Sequence, residues 1–338
     1  MKILVTGGLG FIGSHTVVSL IENGFEPVIL DNCSNATEDV LNNIQTIVRR
    51  EIPFYNVDIT DFKSFENVFV KEETIQGVIH FAAAKAVGES VSQPLKYYHN
   101  NITGLVNLLM CMDQFSIRNM IFSSSCTVYG QAETMPITED APVQAPMSPY
   151  GNTKKVGEEI IIDTAHSSDL KAILLRYFNP IGAHSSTLIG ELPIGVPQNL
   201  IPFVTQTAAG IREKLSVFGN DYDTKDGTCV RDYIHVMDLA DAHVIAMKRL
   251  VEEKQQSAVE TFNIGTGTGS SVVEVIEAFE RVSGQKLNYE FAPRRAGDTT
   301  IAYADTHKAN DVLGWKATRS LDVALESAWN WQKKLSNL

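Results

Sequence analysis

Three side chains in the middle of the chain, Ser125, Tyr150 and Lys154, are of the types that move a proton when an alcohol is oxidised. Ser148 and Pro149 are typical of a helix N-cap and first turn, so the four-residue spacing predicts Tyr150 and Lys154 on one helical face. A tyrosine, with an unperturbed pKa of about 10, is a base at neutral pH only where nearby cations stabilise its phenolate. We therefore predict coupled proton and hydride transfer, in which Lys154 lowers the pKa of Tyr150.

The position of the serine supports this interpretation. Ser123, Ser124 and Ser125 end an apolar segment that is predicted to form a strand. Parallel α/β sheets bind their ligands at the carboxyl ends of the strands, where Ser125 would bind the reacting sugar oxygen. A tyrosine and a lysine four residues apart are common by chance, and their functional interpretation depends on this serine.

A glycine-rich segment near the start of the chain predicts a dinucleotide site. Gly7, Gly10 and Gly13 follow a predicted strand at residues 2–6 and open a predicted helix at residues 11–23. Their spacing is GxxGxxG instead of GxGxxG, but it equally allows the backbone to approach a pyrophosphate at a helix N-terminus. Glycine triplets also occur in ordinary turns, and the strand–turn–helix context is what favours the dinucleotide.

Asp31 ends the second predicted strand, where a carboxylate binds the adenosine ribose hydroxyls and repels a 2′-phosphate. Residues 32–36 contain no Lys or Arg that would attract that phosphate, so the sequence predicts NAD in preference to NADP. Asp58 and Ile59, after the third predicted strand, are expected at the adenine. An ordinary turn aspartate is the alternative interpretation of Asp58.

The elements that position these residues alternate between strand and helix. Predicted strands lie at 2–6, 27–31, 54–57, 77–81, 120–124 and 172–177, with helices at 11–23, 40–50, 95–113 and 150–166. This alternation predicts an α/β fold with a doubly wound parallel sheet of the Rossmann type. From residue 179 the pattern changes to a long loop at 180–202 and then mixed elements, with strands predicted at 215–218, 229–235 and 261–264 and helices near 238–252, 272–283 and 321–333. We expect an NAD-binding domain at 1–178 and a smaller mixed α/β lobe at 179–338, partly interleaved with it.

Composition excludes several other classes of protein. The 338 residues include 28 Lys and Arg against 40 Asp and Glu, a net charge of −12, which argues against a nucleic-acid partner. No apolar run reaches the roughly 18 residues that a membrane span needs. The cysteines Cys33, Cys111, Cys126 and Cys229 are scattered, unlike those of a disulfide scaffold or a zinc site. We expect a cytoplasmic enzyme with no metal and no membrane partner.

Residues 7–13, Asp31, Ser125 and Tyr150-x-x-x-Lys154 together resemble the extended short-chain dehydrogenase/reductase family. Four longer runs, at 177–184, 197–202, 218–222 and 226–236, are similar to the UDP-glucose 4-epimerases of that family. The resemblance extends along essentially the whole chain. It implies one tightly held NAD per subunit, removal of the 4-hydroxyl proton by Tyr150, and a 4-keto sugar that turns over before hydride returns to its other face. It also implies a homodimer formed through the helices near 95–113 and 150–166.

The resemblance also implies the site residues. The implied catalytic residues are Ser125, Tyr150 and Lys154. The implied cofactor contacts are Gly7, Gly10, Phe11, Ile12, Gly13, Asp31, Asn32, Asn35, Asp58, Ile59, Phe81, Ala82, Lys85, Asn100, Ser125, Tyr150, Lys154 and Phe178. The implied UDP-sugar contacts are Lys85, Ser125, Tyr150, Asn179, Asn199, Leu200, Ser216, Phe218, Arg231, Arg295, Asp298 and Ala302. Two arginines suit a diphosphate, because guanidinium forks match phosphate oxygens.

Ala302 stands where this family carries either a tyrosine or a small residue. A small side chain leaves room for a 2-acetamido group, so we expect UDP-N-acetylglucosamine and UDP-N-acetylgalactosamine to be substrates as well. Successive strand residues point to opposite faces, and Tyr303 should then face away from the sugar. The alternative is that Tyr303 fills the pocket and Ala302 is merely a small strand residue.

Two other functions are weighed against epimerisation. A nucleotide-sugar 4,6-dehydratase would carry an acidic residue beside its catalytic serine or threonine, whereas Ser125 is followed by Cys126 and Thr127. A non-catalytic dinucleotide sensor would tend to lose the Tyr150 and Lys154 pair. Both alternatives are therefore disfavoured by the residues themselves.

Overall fold

The computed structural model describes residues 1–295 and 298–338, so Ala296 and Gly297, within the segment around Arg295, lie outside the described residues. Across the described part of the chain the strands, in chain order, are β1 Lys2–Thr6, β2 Glu26–Asp31, β3 Phe54–Asn56, β4 Ile75–His80, β5 Asn119–Ser125, β6 Lys171–Tyr177, β7 Asn179–Ile181, β8 Leu215–Phe218, β9 Val230–Arg231, β10 Tyr233–His235, β11 Val259–Ile264, β12 Ser270–Ser271, β13 Tyr289–Ala292 and β14 Ile301–Ala302. The helices are α1 Phe11–Glu22, α2 Asp39–Val48, α3 Phe62–Lys71, α4 Val87–Ser92, α5 Pro94–Tyr98, α6 Gly104–Gln114, α7 Pro149–Ser167, α8 Leu200–Ala208, α9 Val236–Val251, α10 Val272–Ser283 and α11 Leu321–Ser336.

Seven parallel strands form the main sheet, in the order β11-β6-β5-β4-β1-β2-β3. Side chains alternate between two apolar cores: Ile3 and Val5 pack on the face covered by α1 and α9, whereas Leu4 packs on the face covered by α3 and α6. Strands buried on both faces read as continuous apolar runs, which is how the sequence predicted them. The expected doubly wound parallel fold is confirmed.

The order of the strands reverses at β1. The chain moves outward through β2 and β3 on one side, and then through β4, β5 and β6 on the other. A crevice opens above the carboxyl ends of the strands at such a reversal, and ligands of doubly wound sheets bind there. The glycine segment after β1 and the serines at the end of β5 both lie at this edge.

The second half of the chain builds a smaller lobe around a third apolar core, between α8, α10 and α11. Short sheets accompany it: β7 with β10, β8 with β13, and β9 between β12 and β14. One strand of this half, β11, returns to the main sheet and pairs in parallel with β6. No helix in the described residues is both long and apolar enough to cross a membrane.

Two predicted elements are divided in the structure. The helix predicted at 95–113 is interrupted by a π-helical turn at His99–Thr103, where the Asn101 side chain bonds both the N–H and the C=O of Ala84. The strand predicted at 229–235 breaks at Asp232 into β9 and β10. The carboxylate of Asp232 is buried, and it accepts N–H groups from Thr266, Gly267 and Ala304.

Candidate active site

The glycine segment forms a cradle that only glycine can line. Gly7 has φ +69°, and a Cβ there would lie 2.7 Å from the Ala82 amide nitrogen. A Cβ at Gly13 would lie 2.2 Å from the Gly7 carbonyl oxygen. Gly10 occupies the N-cap of α1 and has no side chain to cap it, so the first N–H groups, at Phe11 and Ile12, face an open approach. A pyrophosphate fits this helix N-terminus.

Asp31 lies at the carboxyl end of β2, next to the cradle. Its two carboxylate oxygens accept the N–H of Leu9 at 3.1 Å and that of Cys33 at 2.9 Å. Burial raises the pKa of Asp31, and these two N–H groups oppose that rise. The carboxylate is thus held rigidly where a ribose hydroxyl would be recognised.

The residues predicted at the adenine are in different situations. Asp58 bonds Asn32 at 2.9 Å and Thr60 at 2.8 Å, which places two predicted cofactor contacts together. The side chain of Ile59 is buried in the core, where it packs so closely on Gly104 that a Cβ there would lie 2.3 Å from it. Asn35 is exposed on the loop after β2.

The end of β4 supplies the other side of the cofactor crevice. Phe81 donates its N–H to Thr6 on β1, and its ring packs 4.7 Å from that of His243. The backbone of Ala82 lies directly beside the glycine cradle, since a Cβ at Gly7 would be 2.7 Å from the Ala82 nitrogen. Asn100 lies in the π-helical turn, where its side chain bonds that of Asn101.

The proton-transfer residues converge at the carboxyl end of β5. Ser148 caps α7 by accepting the N–H of Gly151, as its sequence predicted, and Tyr150 and Lys154 follow on one face. The Lys154 ammonium donates to the Ser123 carbonyl oxygen at 2.5 Å and lies 5.0 Å from the centre of the Phe122 ring. Ser125 is buried, and its hydroxyl accepts the N–H of Thr127.

Burial dominates the electrostatics of the Tyr150 and Lys154 pair. It raises the pKa of Tyr150 to about 12, with a contribution from the neighbouring Cys126, while the Ser125 hydroxyl opposes the rise. Burial also lowers the pKa of Lys154 to about 8, against the attraction of Glu158. With the protein's own groups alone the pKa of Tyr150 is raised, so the expected lowering by nearby cations depends on a second cation besides Lys154. A positive ring beside the phenol is the further cation that the site needs.

Tyr177 is a residue of this site that the sequence analysis missed. Its hydroxyl bonds the Ser123 hydroxyl, its ring is buried, and burial together with Tyr150 raises its pKa. The signal was present, because Tyr177 ends a predicted strand directly beside the β5 serines. The next residue, Phe178, is buried with Tyr129 and Ile137, and Ala302 packs against the same cluster.

Five predicted UDP-sugar contacts belong to the second lobe. Asp298 accepts from Arg295 at 3.0 Å and lies 3.9 Å from the guanidinium of Arg231. The guanidinium of Arg295 also stacks 5.7 Å from the centre of the Phe218 ring, and Ser216 precedes Phe218 by two residues on β8. Two arginines and one aromatic ring suit a nucleoside diphosphate.

Ala302 and Tyr303 face opposite ways. Ala302 pairs in register with Arg231 and packs towards Phe178 and Cys126. The ring of Tyr303 lies on the other side, where a Cβ at Gly269 would be 3.3 Å from it. The small side chain of Ala302 therefore lies on the side of β14 that packs against the Phe178 cluster.

Glu191 connects two other predicted contacts, Asn199 and Lys85, and was also missed. Its carboxylate accepts from Asn199 at 2.6 Å and lies 3.8 Å from the Lys85 ammonium. Asn199 is the N-cap of α8 and Leu200 its first residue. Asn179 begins β7 and donates its N–H to the Asp232 carbonyl.

Comparisons with known proteins identify the family of the chain. The family model described as GDP-mannose 4,6 dehydratase matches residues 4–327. The chain is 51% identical over 339 residues to a UDP-glucose 4-epimerase of Bacillus subtilis, covering 100% of this chain and 98% of that protein. It is 47% identical to the UDP-glucose 4-epimerase of Mus musculus, covering 98% and 97%.

Solved structures show the same likeness. A UDP-glucose 4-epimerase from Bifidobacterium longum, in complex with NAD+ and UDP, has a TM-score of 0.94 at 44% identity, covering 99% of this chain and 98% of that one. One from Stenotrophomonas maltophila, with bound NAD and formylated UDP-arabinopyranose, has a TM-score of 0.96 at 44% identity, covering 100% and 99%. The chain therefore belongs to the family described by the GDP-mannose 4,6 dehydratase model and, among its members, to the UDP-glucose 4-epimerases.

Proposed function

We propose that this chain is an NAD-dependent isomerase that interconverts UDP-glucose and UDP-galactose at carbon 4. The observation that carries the proposal is that the glycine cradle and the buried Tyr150 and Ser125 lie at one edge of the sheet, while the second lobe presents an arginine pair at Asp298. The relatives at 47–51% identity are UDP-glucose 4-epimerases, so neither a dehydratase nor a sensor is favoured.

The roles of the residues follow from their positions. Tyr150 takes the proton of the 4-hydroxyl, and Ser125 bonds the reacting oxygen and helps to pass that proton. Lys154 stabilises the phenolate. NAD accepts the hydride from carbon 4 and returns it to the other face of the 4-keto sugar. The glycine cradle and Asp31 hold the dinucleotide, and Arg231 and Arg295 anchor the diphosphate.

The test is an assay of the purified protein with UDP-galactose and no added NAD. We expect UDP-glucose to form, and we expect the dinucleotide to be released on denaturation. Absence of turnover, with the dinucleotide present, would contradict the proposal. A nucleotide sugar that has lost one molecule of water would indicate a dehydratase instead.

We also propose that the enzyme accepts UDP-N-acetylglucosamine and UDP-N-acetylgalactosamine. Ala302 packs against the cluster that contains Phe178, and this supports a pocket wall in which a 2-acetamido group would meet a methyl group instead of a phenol. Two solved relatives are named for N-acetylated sugars, a UDP-Glc/GlcNAc 4-epimerase of Campylobacter jejuni and a UDP-N-acetylglucosamine 4-epimerase of Methanobrevibacter ruminantium. Side-by-side assays of both sugar pairs decide the question.

A homodimer is a further proposal, and exposed apolar side chains support it. Leu95 is 81% exposed on α5, and Met110 is 52% exposed on α6. Apolar groups on neighbouring helices are typical of a helix-to-helix interface. Light scattering of the wild type and of Leu95→Lys, expected to be dimer and monomer respectively, tests this assignment.

We propose a division of the chain into two domains and a cytoplasmic location. Residues 1–178 would form the NAD-binding domain and 179–338 the sugar-binding lobe, since the third core is built entirely from the latter. A reducing compartment, the cytoplasm, suits Cys33, Cys111, Cys126 and Cys229, which are all free thiols. Fractionation of cells that express the protein tests the second point.

A further inference from the structure

Glu158 is a buried carboxylate on the catalytic helix that the proposed mechanism leaves unused. It follows Lys154 by four residues, as Lys154 follows Tyr150, so the three side chains share one face of α7. Glu158 is 3% exposed, and carboxylates are almost never so deeply buried unless they are paired. The deep burial of the Glu158 carboxylate therefore requires an explanation.

Two neighbouring strands hold this carboxylate. Arg176 on β6 donates to it from Nε at 2.9 Å and from Nη2 at 2.6 Å, and Ser124 on β5 donates at 2.5 Å. Ser124 and Arg176 are register partners, so both reach the same side of the sheet. The helix is thus fixed to both strands at one point, directly beneath the end of β5 that carries Ser125.

The helix also lies unusually close to β5. A Cβ at Gly157 would be 2.9 Å from the Phe122 ring, so only glycine allows this approach. The close approach lets the Lys154 ammonium reach the Ser123 carbonyl at 2.5 Å. A small rotation or lift of α7 would move Tyr150 and Lys154 together.

The far side of Arg176 extends the contacts towards the sugar. Its guanidinium donates to the Tyr129 hydroxyl at 3.0 Å, and that hydroxyl donates to Asn263 at 2.7 Å. The Asn263 side chain in turn donates to the Ile137 carbonyl oxygen. The N–H of Ile137 donates to the carbonyl oxygen of Tyr303, the neighbour of Ala302. One network therefore joins the proton-transfer helix to the strand that lines the sugar pocket.

We propose that Glu158 is a positioning residue for proton transfer: clamped by Arg176 and Ser124, its carboxylate fixes α7 on the sheet and provides the negative charge that the buried Lys154 faces. The proposal rests on the proposed function for its kinetic consequences. The titratable and charged groups around Lys154 are Tyr150 and Glu158 on α7, His80 on β4, Tyr97 on α5, and Arg176 and Tyr177 on β6.

The first test is Glu158→Gln, which keeps the shape of the side chain and removes its charge. Loss of that charge lowers the pKa of Lys154, so its ammonium loses its proton at a lower pH. We expect kcat to fall about 10- to 100-fold with little change in KM, and the alkaline limb of the pH profile to move to lower pH. Amide exchange within residues 149–158 should speed up, and a crystal structure should show a longer distance from Lys154 Nζ to the Ser123 carbonyl.

The chain offers a matched control in Arg249 and Glu260. This pair is equally bidentate, at 2.6 and 2.9 Å, and similarly buried, but it joins α9 to β11 away from the proton-transfer residues. Glu260→Gln should lower the melting temperature to a similar degree and leave both the pH profile and the exchange at 149–158 unchanged. An equal effect of the two variants on those readouts would overturn the proposal, as would an unchanged profile and structure in Glu158→Gln.

A second variant tests the proposal if Glu158→Gln does not fold. Glu158→Met with Arg176→Met replaces both charges by apolar groups, which buried pairs commonly tolerate. It should fold and show the same loss of kcat and faster exchange at 149–158. If neither variant folds, the role of Glu158 is structural and the proposal is wrong. If the wild type does not epimerise UDP-sugars, the proposed function fails, while the exchange and structural readouts still test the positioning role.

Discussion

At the scale of single residues, the site obtains its chemistry by enclosing a weak acid and a cation together. Burial raises the pKa of Tyr150 to about 12 and lowers that of Lys154 to about 8. Each shift disfavours the charged form of its own group, so a phenolate forms only when a further positive charge is brought close. We therefore expect the Tyr150 phenolate to form only when the positively charged cofactor ring is bound beside it.

Tyr150→Phe tests the proton carrier directly. We expect turnover to fall by ~10³-fold or more, because the ring remains and the base is lost. The fold and the bound dinucleotide should be retained. The control is Tyr55→Phe on β3, which removes a partly buried hydroxyl bonded to Glu72. This variant should keep full activity. More than a tenth of wild-type activity in Tyr150→Phe would contradict the assignment.

Asp31→Ala should weaken binding of NAD, since the ribose hydroxyls lose their acceptor and the loop loses two bonds to Leu9 and Cys33. A basic neighbour added to this variant should shift preference towards NADP, because the repulsion of the 2′-phosphate is gone. Dinucleotide retained on gel filtration measures the effect. Asp61→Ala, which removes an exposed N-cap of α3, serves as the control. Unchanged retention and unchanged preference would argue against Asp31.

Arg231→Ala and Arg295→Ala should each raise KM for UDP-sugars more than they lower kcat. The two guanidinium groups meet at Asp298 on the second lobe, and uniform binding of a diphosphate affects KM first. Steady-state kinetics separates the two parameters. Arg281→Ala, which breaks an exposed pair with Asp322, is the comparison and should change neither. A pure kcat effect in both variants would show that the diphosphate binds elsewhere.

At the scale of elements, we expect β14 to decide which sugars fit. Ala302→Tyr should remove activity on the N-acetylated sugars and spare UDP-glucose and UDP-galactose, because a close-packed wall cannot absorb a phenol. Assays of both sugar pairs measure the change, and Ala302→Ser is the small control. A wild-type enzyme that epimerises only the simple sugars would show that another residue closes the pocket.

The helices α10 and α3 show what sequence patterns can and cannot predict. Helix α10 has the bounds that the sequence predicted. Local residues fix both of its ends, since Ser271 and Glu274 form a capping box and Gly284 ends the helix. The short α3 was missed, although Asp61 caps it through the Ser64 N–H, because its apolar spacing is brief. Tyr177 and Glu158 were missed for another reason. Their roles depend on which strands are neighbours, and local spacing does not encode that order.

At the scale of the whole molecule, buried histidines make stability depend on pH. Burial lowers the pKa of His15 and His80 to about 3 and that of His243 to about 4, from 6.5. Between about pH 6.5 and 4 the unfolded chain therefore binds more protons, and the free energy of unfolding falls as the pH falls. Melting temperatures across this range should decrease steadily.

His243→Gln should make that decrease less steep, since one of the buried imidazoles is gone. The exposed His307→Gln is the matched control and should keep the wild-type slope. Comparing slopes, instead of absolute melting temperatures, separates proton linkage from any loss of packing against Phe81. Parallel slopes in all three proteins would refute the assignment to His243.

The pairing of β11 with β6 has a consequence for how the protein is made. During synthesis the first six strands of the sheet leave the ribosome well before residues 259–264, while α9, which packs on α1, also lies late in the chain. Until then β6 is an open edge and the apolar side of α1 lacks its cover. A nascent chain of this enzyme must therefore hold an incomplete nucleotide fold for some eighty residues of elongation, at about 5–20 residues per second, and chaperones have their best opportunity to bind it in that interval.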